Sequence, residues 1–244
     1  MIDVHCHILP ALDDGALDLD DAVDMARQAE ADGIVTVCAT PHIRHDHDVV
    51  IGELPRRVGV LNAELGRRGV GVRVTTGGEV AETALSGLTD DELRAVSLGR
   101  EGRWILVEPA PGPLGPSLDG AVQSLHERGF RSVIAHPERH AHGDLKCQLG
   151  SLVERGALVQ VTAAMLEHEH AAPMMVELAE CGLVHLLGSD AHSSRAGRPV
   201  RLSAGFAALA GIDRLQPHLT WLMDVAPRGL LDGEDLAPPY GVQI

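Results

Sequence analysis

The stretch IDVHCHILPALDDG, residues 2–15, opens the chain with a short apolar run that carries two histidines and ends on paired aspartates and a glycine. Apolar and polar residues alternate through its first half, as they do in a half-buried β-strand. Side chains two positions apart in a strand share a face, so His5 and His7 are expected to point the same way. Gly15 is expected to allow a tight turn with positive φ. The segment thus predicts a strand that presents two imidazole groups together.

The same strand-like pattern recurs along the chain, where short runs rich in β-branched residues alternate with segments of helical composition. The seven runs are IDVHCH, IVTVCAT, VRVTTG, WILVEP, RSVIAHP, LVQVT and LVHLLGSD. Several helical segments close with a glycine, as expected at a helix C-cap, namely Gly33, Gly129, Gly156 and Gly182. The repeat favours an α/β fold of the (β/α) barrel type with seven units, and a doubly wound open sheet is the alternative. No shift in composition marks a domain boundary, so residues 1–244 are expected to form a single domain.

The composition narrows the classes of function. The formal net charge is −15, from 35 acidic and 20 basic residues, so the chain would repel a phosphate backbone and nucleic-acid binding is not expected. No segment approaches the ~20 apolar residues that span a bilayer, which predicts a cytoplasmic protein without membrane insertion. The four cysteines, which include no CxxC pair, are expected to be reduced core thiols: Cys6, Cys38, Cys147 and Cys181.

Potential metal ligands stand at or just after the ends of the predicted strands, the sixth excepted. Beyond the paired histidines of the first strand, they are His42, Glu79, Glu108, His136, Asp190 and His192. Barrel strands bring their carboxyl ends together, so these side chains are expected to converge in space. One histidine or glutamate at a strand end is more often structural, whereas repetition at the same point of each unit indicates a site. Imidazole with carboxylate and without thiolate suits a hydrolytic site that holds Mn, Zn or Fe.

Six motifs in this order resemble those of the PHP (polymerase and histidinol phosphatase) superfamily. They are DVHCHILPALDDG, TPH, GGE, VEP, AHPER and SDAHSSRAGRP, and together they span the chain from residue 1 to about residue 200. The combination is similar to the bacterial branch of manganese-dependent protein tyrosine phosphatases encoded at capsular and exopolysaccharide loci. The resemblance implies a distorted (β/α)7 TIM-like barrel of the PHP type.

The resemblance also implies a site with three divalent ions, expected to be Mn, although the same ligands accept Fe, Co or Zn. The first ion would be held by His5, His7, Glu79 and Asp190, and Glu79 would bridge to a second ion held by Glu108 and His136. The third would be held by Asp14, His42 and His192, with Asp13 as the alternative to Asp14. Phosphate would be bound by Arg139 in HPER and Arg198 in AGRP, because a guanidinium can donate to two phosphate oxygens at once.

Such a site predicts hydrolysis of a phosphoric monoester by a metal-activated hydroxide, without a phosphocysteine intermediate. The resemblance implies a phosphotyrosine protein as substrate, and a tyrosine autokinase of polysaccharide export as partner. Histidinol phosphate or another small phosphate ester is the alternative substrate, since aromatic residues make up only 2% of the chain and none stands beside the predicted ligands. An amidohydrolase-type enzyme is a remote alternative, because its usual carbamylated lysine would have to be Lys146, which falls in a predicted helix.

The other histidines are expected in surface or core positions, with at most one or two of them at the site. They are His45, His47, His126, His140, His142, His168, His170, His185 and His218. The oligomeric state and the role of the residues after about 212 are left open by the sequence.

Overall fold

The computed structural model describes residues 1–140 and 144–244, so His142 lies outside the described residues. Nine strands occur in these ranges, and all ladders between them are parallel. They are β1 (Ile2–Cys6), β2 (Thr36–Ala39), β3 (His42–Ile43), β4 (Arg73–Thr76), β5 (Glu79–Ala81), β6 (Trp104–Glu108), β7 (Arg131–Ala135), β8 (Leu158–Thr162) and β9 (Leu186–Gly188). The seven predicted strands are confirmed, while β3 and β5 are short additions that the sequence pattern did not predict.

The strands form two sheets, ordered β1-β2-β4 and β3-β5-β6-β7-β8-β9. The chain passes from one sheet to the other at Pro41, which has no N–H to donate to a ladder, and at the pair Gly77-Gly78. The first strand also lies beside the last, since Cys6 forms a parallel bridge with Ala191. This order is that of a distorted (β/α)7 barrel with an interrupted hydrogen-bond ladder, which confirms the predicted fold class and excludes the doubly wound order.

The described residues contain eight α-helices, which follow the strands or cover the ends of the barrel. They are α1 (Leu19–Ala31), α2 (Leu54–Arg67), α3 (Asp90–Val96), α4 (Pro116–Glu127), α5 (Leu145–Glu154), α6 (Ala172–Glu180), α7 (Ser203–Ala210) and α8 (Ala226–Leu231). The four predicted C-cap glycines all have φ between 74° and 90°, a conformation that costs glycine little. Within the described ranges, no helix is both long and apolar enough to cross a bilayer.

The inner faces of the strands change character along their length. Near the strand starts they carry Trp104, Leu106, Val133 and Leu158, which pack with α8 into a buried apolar cluster. Residues two positions further along share the same face, and they include polar side chains such as Gln160. The strand starts therefore form an apolar floor, and the polar site lies above it at the carboxyl ends.

The prediction that the four cysteines are core thiols is right for Cys6 and Cys38, wrong for Cys147 and only partly right for Cys181. Cys6 and Cys38 are buried free thiols, whereas Cys147 is exposed and Cys181 is partly exposed. Cys147 lies on α5, a helix with its buried residues at Leu145, Leu149 and Leu152, so its side chain falls on the solvent side of that helix. Lys146 lies in the same helix, as predicted.

The residues after α8 pack against the starts of several strands. The indole Nε1 of Trp104 donates to the carbonyl oxygen of Glu234 at 2.9 Å, and the amide of Gln243 donates to the carbonyl oxygen of Cys181 at 2.9 Å. The Tyr240 ring stacks on the imidazole of His185, with 5.9 Å between the centroids. This segment therefore covers the floor of the barrel.

His185 is expected to make the stability of the protein depend on pH. Complete burial lowers its pKa from 6.5 to about 3, and its Nδ1 accepts a hydrogen bond from the Val159 amide at 3.0 Å. Below pH 6.5 the unfolded chain takes up a proton that the folded chain refuses until about pH 3, so the free energy of unfolding falls as the pH drops through this window. The slope attributable to this residue approaches about 1.4 kcal/mol per pH unit.

Denaturant unfolding of the wild type and of His185→Asn between pH 7 and pH 4 measures this effect. Asparagine keeps an acceptor for the Val159 amide and does not titrate, so the variant should lose less stability over the window. His168→Asn changes an exposed histidine and serves as the control. Parallel pH profiles for the wild type and both variants would contradict the assignment to His185.

Candidate metal centre

The nine predicted ligands converge at the carboxyl ends of the strands. They form four overlapping groups, and within each group the candidate ligand atoms lie within 4.8 Å of one another. The groups are His5, His7 and Glu79; His5, His136 and Asp190; His42, Glu79 and Glu108; and His7, Asp14, His42 and His192. The expected convergence of these side chains is therefore observed, although the four groups do not coincide with the three ligand sets that the resemblance implies.

Glu79 is the centre of the cluster and is fully buried. Its Oε1 accepts a hydrogen bond from His136 Nε2 at 2.7 Å, and its Oε2 lies 3.4 Å from His5 Nε2 and 3.3 Å from His7 Nε2. Burial alone would raise the pKa of Glu79, but the imidazoles of His5, His136 and His42 hold it well below the ordinary value. The carboxylate is thus charged, and both of its oxygens face nitrogen donors.

The two histidines of the first strand are oriented from behind. His5 Nδ1 is paired with Gln160 Oε1 at 2.9 Å and His7 Nδ1 with Asp13 Oδ2 at 2.8 Å, which leaves both Nε2 atoms facing Glu79. Burial lowers the pKa of His7, but the hydrogen bonds to Asp13 and Glu79 outweigh it and raise the pKa to about 10, so a cation at Nε2 would have to displace a proton. A hydrogen bond on one ring nitrogen selects the tautomer that offers the other nitrogen as a ligand.

The structure distinguishes between the two aspartates of the DDG motif. Asp13 accepts hydrogen bonds from His7, from the His42 amide at 2.9 Å and from the Gly15 amide at 3.0 Å, so it braces the surrounding segments. Asp14 is exposed, and its Oδ1 lies 3.4 Å from His42 Nε2 and 3.5 Å from His192 Nε2. The position that faces the cluster is therefore that of Asp14.

The expectation for Gly15 is wrong. Its φ is not in the positive range in this structure, so the turn does not require glycine for its backbone angles. A Cβ at this position would instead overlap the carbonyl oxygen of His7 and lie 2.6 Å from His7 Cβ. Glycine is needed because the backbone of the DDG turn passes directly against the histidine that it surrounds.

Positive φ angles occur at the site, on residues with side chains. His136, directly after β7, has φ of 29°, and Asp190, two residues after β9, has φ of 49°. Such angles cost non-glycine residues free energy and persist only where the surroundings impose them. Here they turn the two side chains inward over the end of the barrel.

The arginines predicted to bind phosphate both contact Asp190. Arg198 donates from Nε and Nη2 to the Asp190 carbonyl oxygen at 3.0 and 2.7 Å and from Nη2 to its carboxylate at 2.9 Å. Arg139 donates to the same carboxylate oxygen through Nη2 and has a side chain that is 40% exposed. Arg198 is therefore held by three bonds, while Arg139 has a single anchor and more freedom to meet a ligand.

A cavity of about 340 Å³ opens above the cluster. Its lining residues combine candidate ligands with three arginines: Asp14, His42, Arg44, Glu108, Arg139, His192, Gly197 and Arg198. This lining, called the arginine cavity below, offers positive charge directly beside the candidate metal ligands.

A buried divalent cation fits this donor set. Among the described residues, four buried atoms of the cluster have no hydrogen-bond partner: His42 Nδ1, Glu79 Oε2, His136 Nδ1 and Asp190 Oδ1. His42 Nδ1 comes within 2.9 Å of Glu79 Oε2, but the angles are not those of a hydrogen bond. Buried polar atoms are rarely left unpaired, and imidazole and carboxylate are ligand types that Mn, Fe and Zn accept.

Two supporting residues were missed by the sequence analysis. Gln160 lies on the sixth predicted strand, where the only signal was one polar residue within LVQVT. Asp21 of α1 accepts hydrogen bonds from Ser193 Oγ at 2.9 Å and from the Ser194 amide at 2.8 Å. Burial would raise the pKa of Asp21, but its hydrogen bonds, chiefly from Ser194, lower it to about 2. It anchors the segment that follows His192.

Gln160→Leu is expected to weaken metal binding by about 10- to 100-fold, the usual cost of losing a hydrogen bond behind a metal ligand. Leucine removes the acceptor that selects the His5 tautomer and keeps approximately the same volume. The affinity for Mn is measured by equilibrium dialysis of protein that has first been stripped of metal with a chelator. Gln148→Leu is the matched control, because Gln148 lies on α5, outside the cluster, and donates to the Leu114 carbonyl oxygen. Equal affinities in the two variants would contradict this role.

The spacing C-x5-R of cysteine-dependent phosphatases occurs once, from Cys38 to Arg44. Cys38 lies in β2 with its thiol buried against the Thr76 carbonyl oxygen at 3.6 Å. Burial raises the pKa of this thiol to about 12, which suppresses the thiolate that a nucleophile requires. Cys38 and Arg44 therefore match the spacing of a cysteine-dependent phosphatase, but Cys38 is not placed to act as a nucleophile.

The fold and the cluster together define an α/β barrel protein with a candidate polynuclear metal site. A family model for capsular polysaccharide synthesis proteins of the CpsB/CapC type matches residues 1–210. The chain therefore belongs to the CpsB/CapC family, and the resemblance seen in the sequence motifs is confirmed.

Individual relatives agree with this assignment. The chain is 34% identical over 202 residues to the tyrosine-protein phosphatase YwqE of Bacillus subtilis (strain 168), covering 79% of this chain and 78% of the relative. It is 21% identical over 207 residues to the tyrosine-protein phosphatase CpsB of Streptococcus agalactiae, covering 79% and 83%. A chain from the crystal structures of YwqE from Bacillus subtilis and CpsB from Streptococcus pneumoniae, described as unique metal-dependent tyrosine phosphatases, superimposes with a TM-score of 0.82 and 28% identity over the whole of both chains.

Proposed function

We propose that the protein is a metal-dependent protein tyrosine phosphatase that acts in the synthesis of a capsular or exported polysaccharide. The observation that carries the proposal is a buried cluster of imidazoles and carboxylates beneath a cavity lined by three arginines. Membership of the CpsB/CapC family and the names of its relatives support the same activity. We also take residues 1–244 to be one domain, because the segment after α8 packs on the barrel floor.

The nine residues predicted as ligands would hold the metal ions, and three ions is the number we propose. Divalent cations at such a site supply Lewis acidity and make hydroxide available at neutral pH. Mn is the proposed native metal, because the family resemblance favours it; the five imidazoles and four carboxylates would also accept Fe, Co and Zn.

The side chains of the arginine cavity would bind and orient the phosphate. A guanidinium donates two parallel hydrogen bonds to a phosphate, which fixes its orientation as well as neutralising its charge. Arg139 is the proposed phosphate ligand, and Arg198 is proposed to act both on the phosphate and on Asp190, to which it donates three hydrogen bonds. Positively charged groups placed where charge develops in the transition state lower the barrier to phosphoryl transfer.

A tyrosine phenolate is a better leaving group than the alkoxide of an alkyl alcohol. A phenolate has a conjugate acid with a pKa near 10, so it departs with less help from a general acid.

The proposed substrate is a phosphotyrosine protein, and the specific partner that we propose is the tyrosine autokinase of polysaccharide export. A direct test compares a tyrosine-phosphorylated peptide with the same peptide carrying phosphoserine. The protein loaded with Mn should release phosphate from the phosphotyrosine peptide at least about tenfold faster, because the serine alkoxide is the poorer leaving group. Equal rates on both peptides would contradict specificity for tyrosine.

A further inference from the structure

A second cavity of about 430 Å³ lies beside the arginine cavity. We call it the side groove and define it by Ile43, Arg44, Val49, Val50, Ile51 and Leu88. Ile43 is the last residue of β3, and the others come from the segments that follow β3 and β5; segments that follow strands in this fold lie on the same rim as the metal cluster. The side groove therefore opens on the face of the barrel from which a substrate would approach.

Arg44 connects the two cavities, because it lines both of them. Its Nε donates to Asp46 Oδ1 at 2.7 Å, and its Nη1 lies 3.4 Å from Glu108 Oε1. The guanidinium is thus held across the boundary between the arginine cavity and the side groove. A chain that leaves the arginine cavity over Arg44 would enter the side groove directly.

Aliphatic side chains dominate the side groove, although His45 and Glu92 line it as well. Val50 is 62% exposed, and Val49, Ile51 and Leu88 are partly exposed. Single exposed apolar residues are common on protein surfaces, but four neighbouring aliphatic side chains around a concave surface are typical of a binding site for an apolar group. The neighbouring arginine cavity is lined mainly by charged and polar side chains. A single ligand that fills both cavities must therefore have a polar group in the arginine cavity and an apolar group in the side groove.

We propose that the side groove binds an aliphatic side chain of the substrate polypeptide next to the phosphotyrosine. This inference rests on the proposed function, since only a polypeptide continues beyond the ester that occupies the arginine cavity. An extended chain advances about 3.3 Å per residue, so one to three residues beyond the phosphotyrosine lie over the neighbouring groove. A free phosphate ester such as histidinol phosphate ends before this point and does not reach it.

The size of the expected effect follows from burial of an aliphatic side chain. Covering most of a leucine side chain changes binding by one or two factors of ten in the dissociation constant. The contact lies away from the reacting atoms, so it should appear in KM for a peptide and leave kcat unchanged.

The experiment compares Val50→Asp and Val50→Lys with the unmodified, Mn-loaded protein. The probes are free phosphotyrosine and two peptides, Leu-Leu-phosphotyrosine-Leu-Leu and Ser-Ser-phosphotyrosine-Ser-Ser. Both variants should raise KM for the leucine peptide about tenfold, leave its kcat unchanged and leave free phosphotyrosine and the serine peptide unaffected. Val35→Asp is the matched control, because Val35 is 59% exposed and precedes β2 at the opposite end of the barrel.

The two opposite charges introduced at Val50 distinguish an apolar contact from long-range electrostatics. Opposite effects of aspartate and lysine on KM would show that charge decides binding and would overturn the inference. Equal losses on free phosphotyrosine, or an unchanged KM for the leucine peptide, would overturn it as well, while turnover of phosphotyrosine would leave the proposed function standing. Failure of the unmodified protein to hydrolyse any of the three probes would overturn the proposed function and this inference with it.

Discussion

Glu79→Gln is expected to abolish turnover and to remove most of the bound metal. Among the described residues, Glu79 is the one carboxylate that contacts the imidazoles of His5, His7, His42 and His136, and it is fully buried among them. Glutamine has the same shape but no charge, so the cluster would lose its central anion while the fold keeps its packing. A loss on the order of 10³-fold in kcat/KM is expected, because metal charge stabilises the transition state by several kcal/mol and each ~1.4 kcal/mol is tenfold.

The Glu79 prediction is checked by metal analysis of the dialysed protein together with phosphate release from a phosphotyrosine peptide. Glu30→Gln, which alters an exposed glutamate on α1, is the control and should match the wild type in both measurements. A Glu79→Gln protein that keeps its full metal content and most of its activity would show that the cluster is not organised around this carboxylate.

Arg139→Ala is expected to lower kcat/KM by about 10²- to 10³-fold while metal content stays unchanged. This is the usual cost of removing one group that stabilises developing charge. Arg139 lines the arginine cavity, and its side chain is 40% exposed, so the guanidinium is accessible to a bound phosphate. Arg139→Lys should recover only part of the loss, because an ammonium group cannot donate two parallel hydrogen bonds.

Steady-state kinetics and competition by vanadate measure the Arg139 effect. Arg155→Ala is a matched control, since Arg155 is 38% exposed and pairs with an aspartate, Asp119, on another helix. If Arg139→Ala lost metal in parallel with activity, the residue would act by holding Asp190 rather than by binding phosphate. Activity near that of the wild type would exclude both roles.

The fold could be predicted because its repeating pattern is local. Each of the seven predicted runs alternates or concentrates β-branched residues, and the C-cap glycines mark where helices end. The two additional strands, β3 and β5, contain two and three residues, too few for any periodic pattern to appear. They arise from tertiary pairing, in which His42 is aligned with Glu79.

The candidate ligands could be predicted for a related reason. Parallel strands bring their carboxyl ends to one rim, so residue type and position in the repeat are sufficient to gather the nine residues. The residues behind them depend on three-dimensional contacts instead. Gln160 faces His5 across 155 positions of sequence, and a Cβ on Gly188 would lie 2.6 Å from His5 Cβ and 2.9 Å from Gln160 Nε2.

The choice between Asp13 and Asp14 also depends on three-dimensional contacts that the sequence does not reveal. Both have the same chemistry and adjacent positions, so the sequence leaves the two equivalent. The turn directs Asp13 beneath His7, where it accepts three hydrogen bonds and where His7 helps to lower its pKa to about 2 against the effect of burial. Asp14 then remains on the cavity side, facing His42 and His192.

The most direct test of the account is phosphate release by protein that has been stripped with a chelator and then supplied with Mn. A phosphotyrosine peptide and histidinol phosphate are compared at equal concentrations. We expect no release before Mn is added, and afterwards turnover of the peptide at least about tenfold faster than turnover of histidinol phosphate. Release that does not depend on metal, or a preference for histidinol phosphate, would contradict the assignment as a metal-dependent protein tyrosine phosphatase.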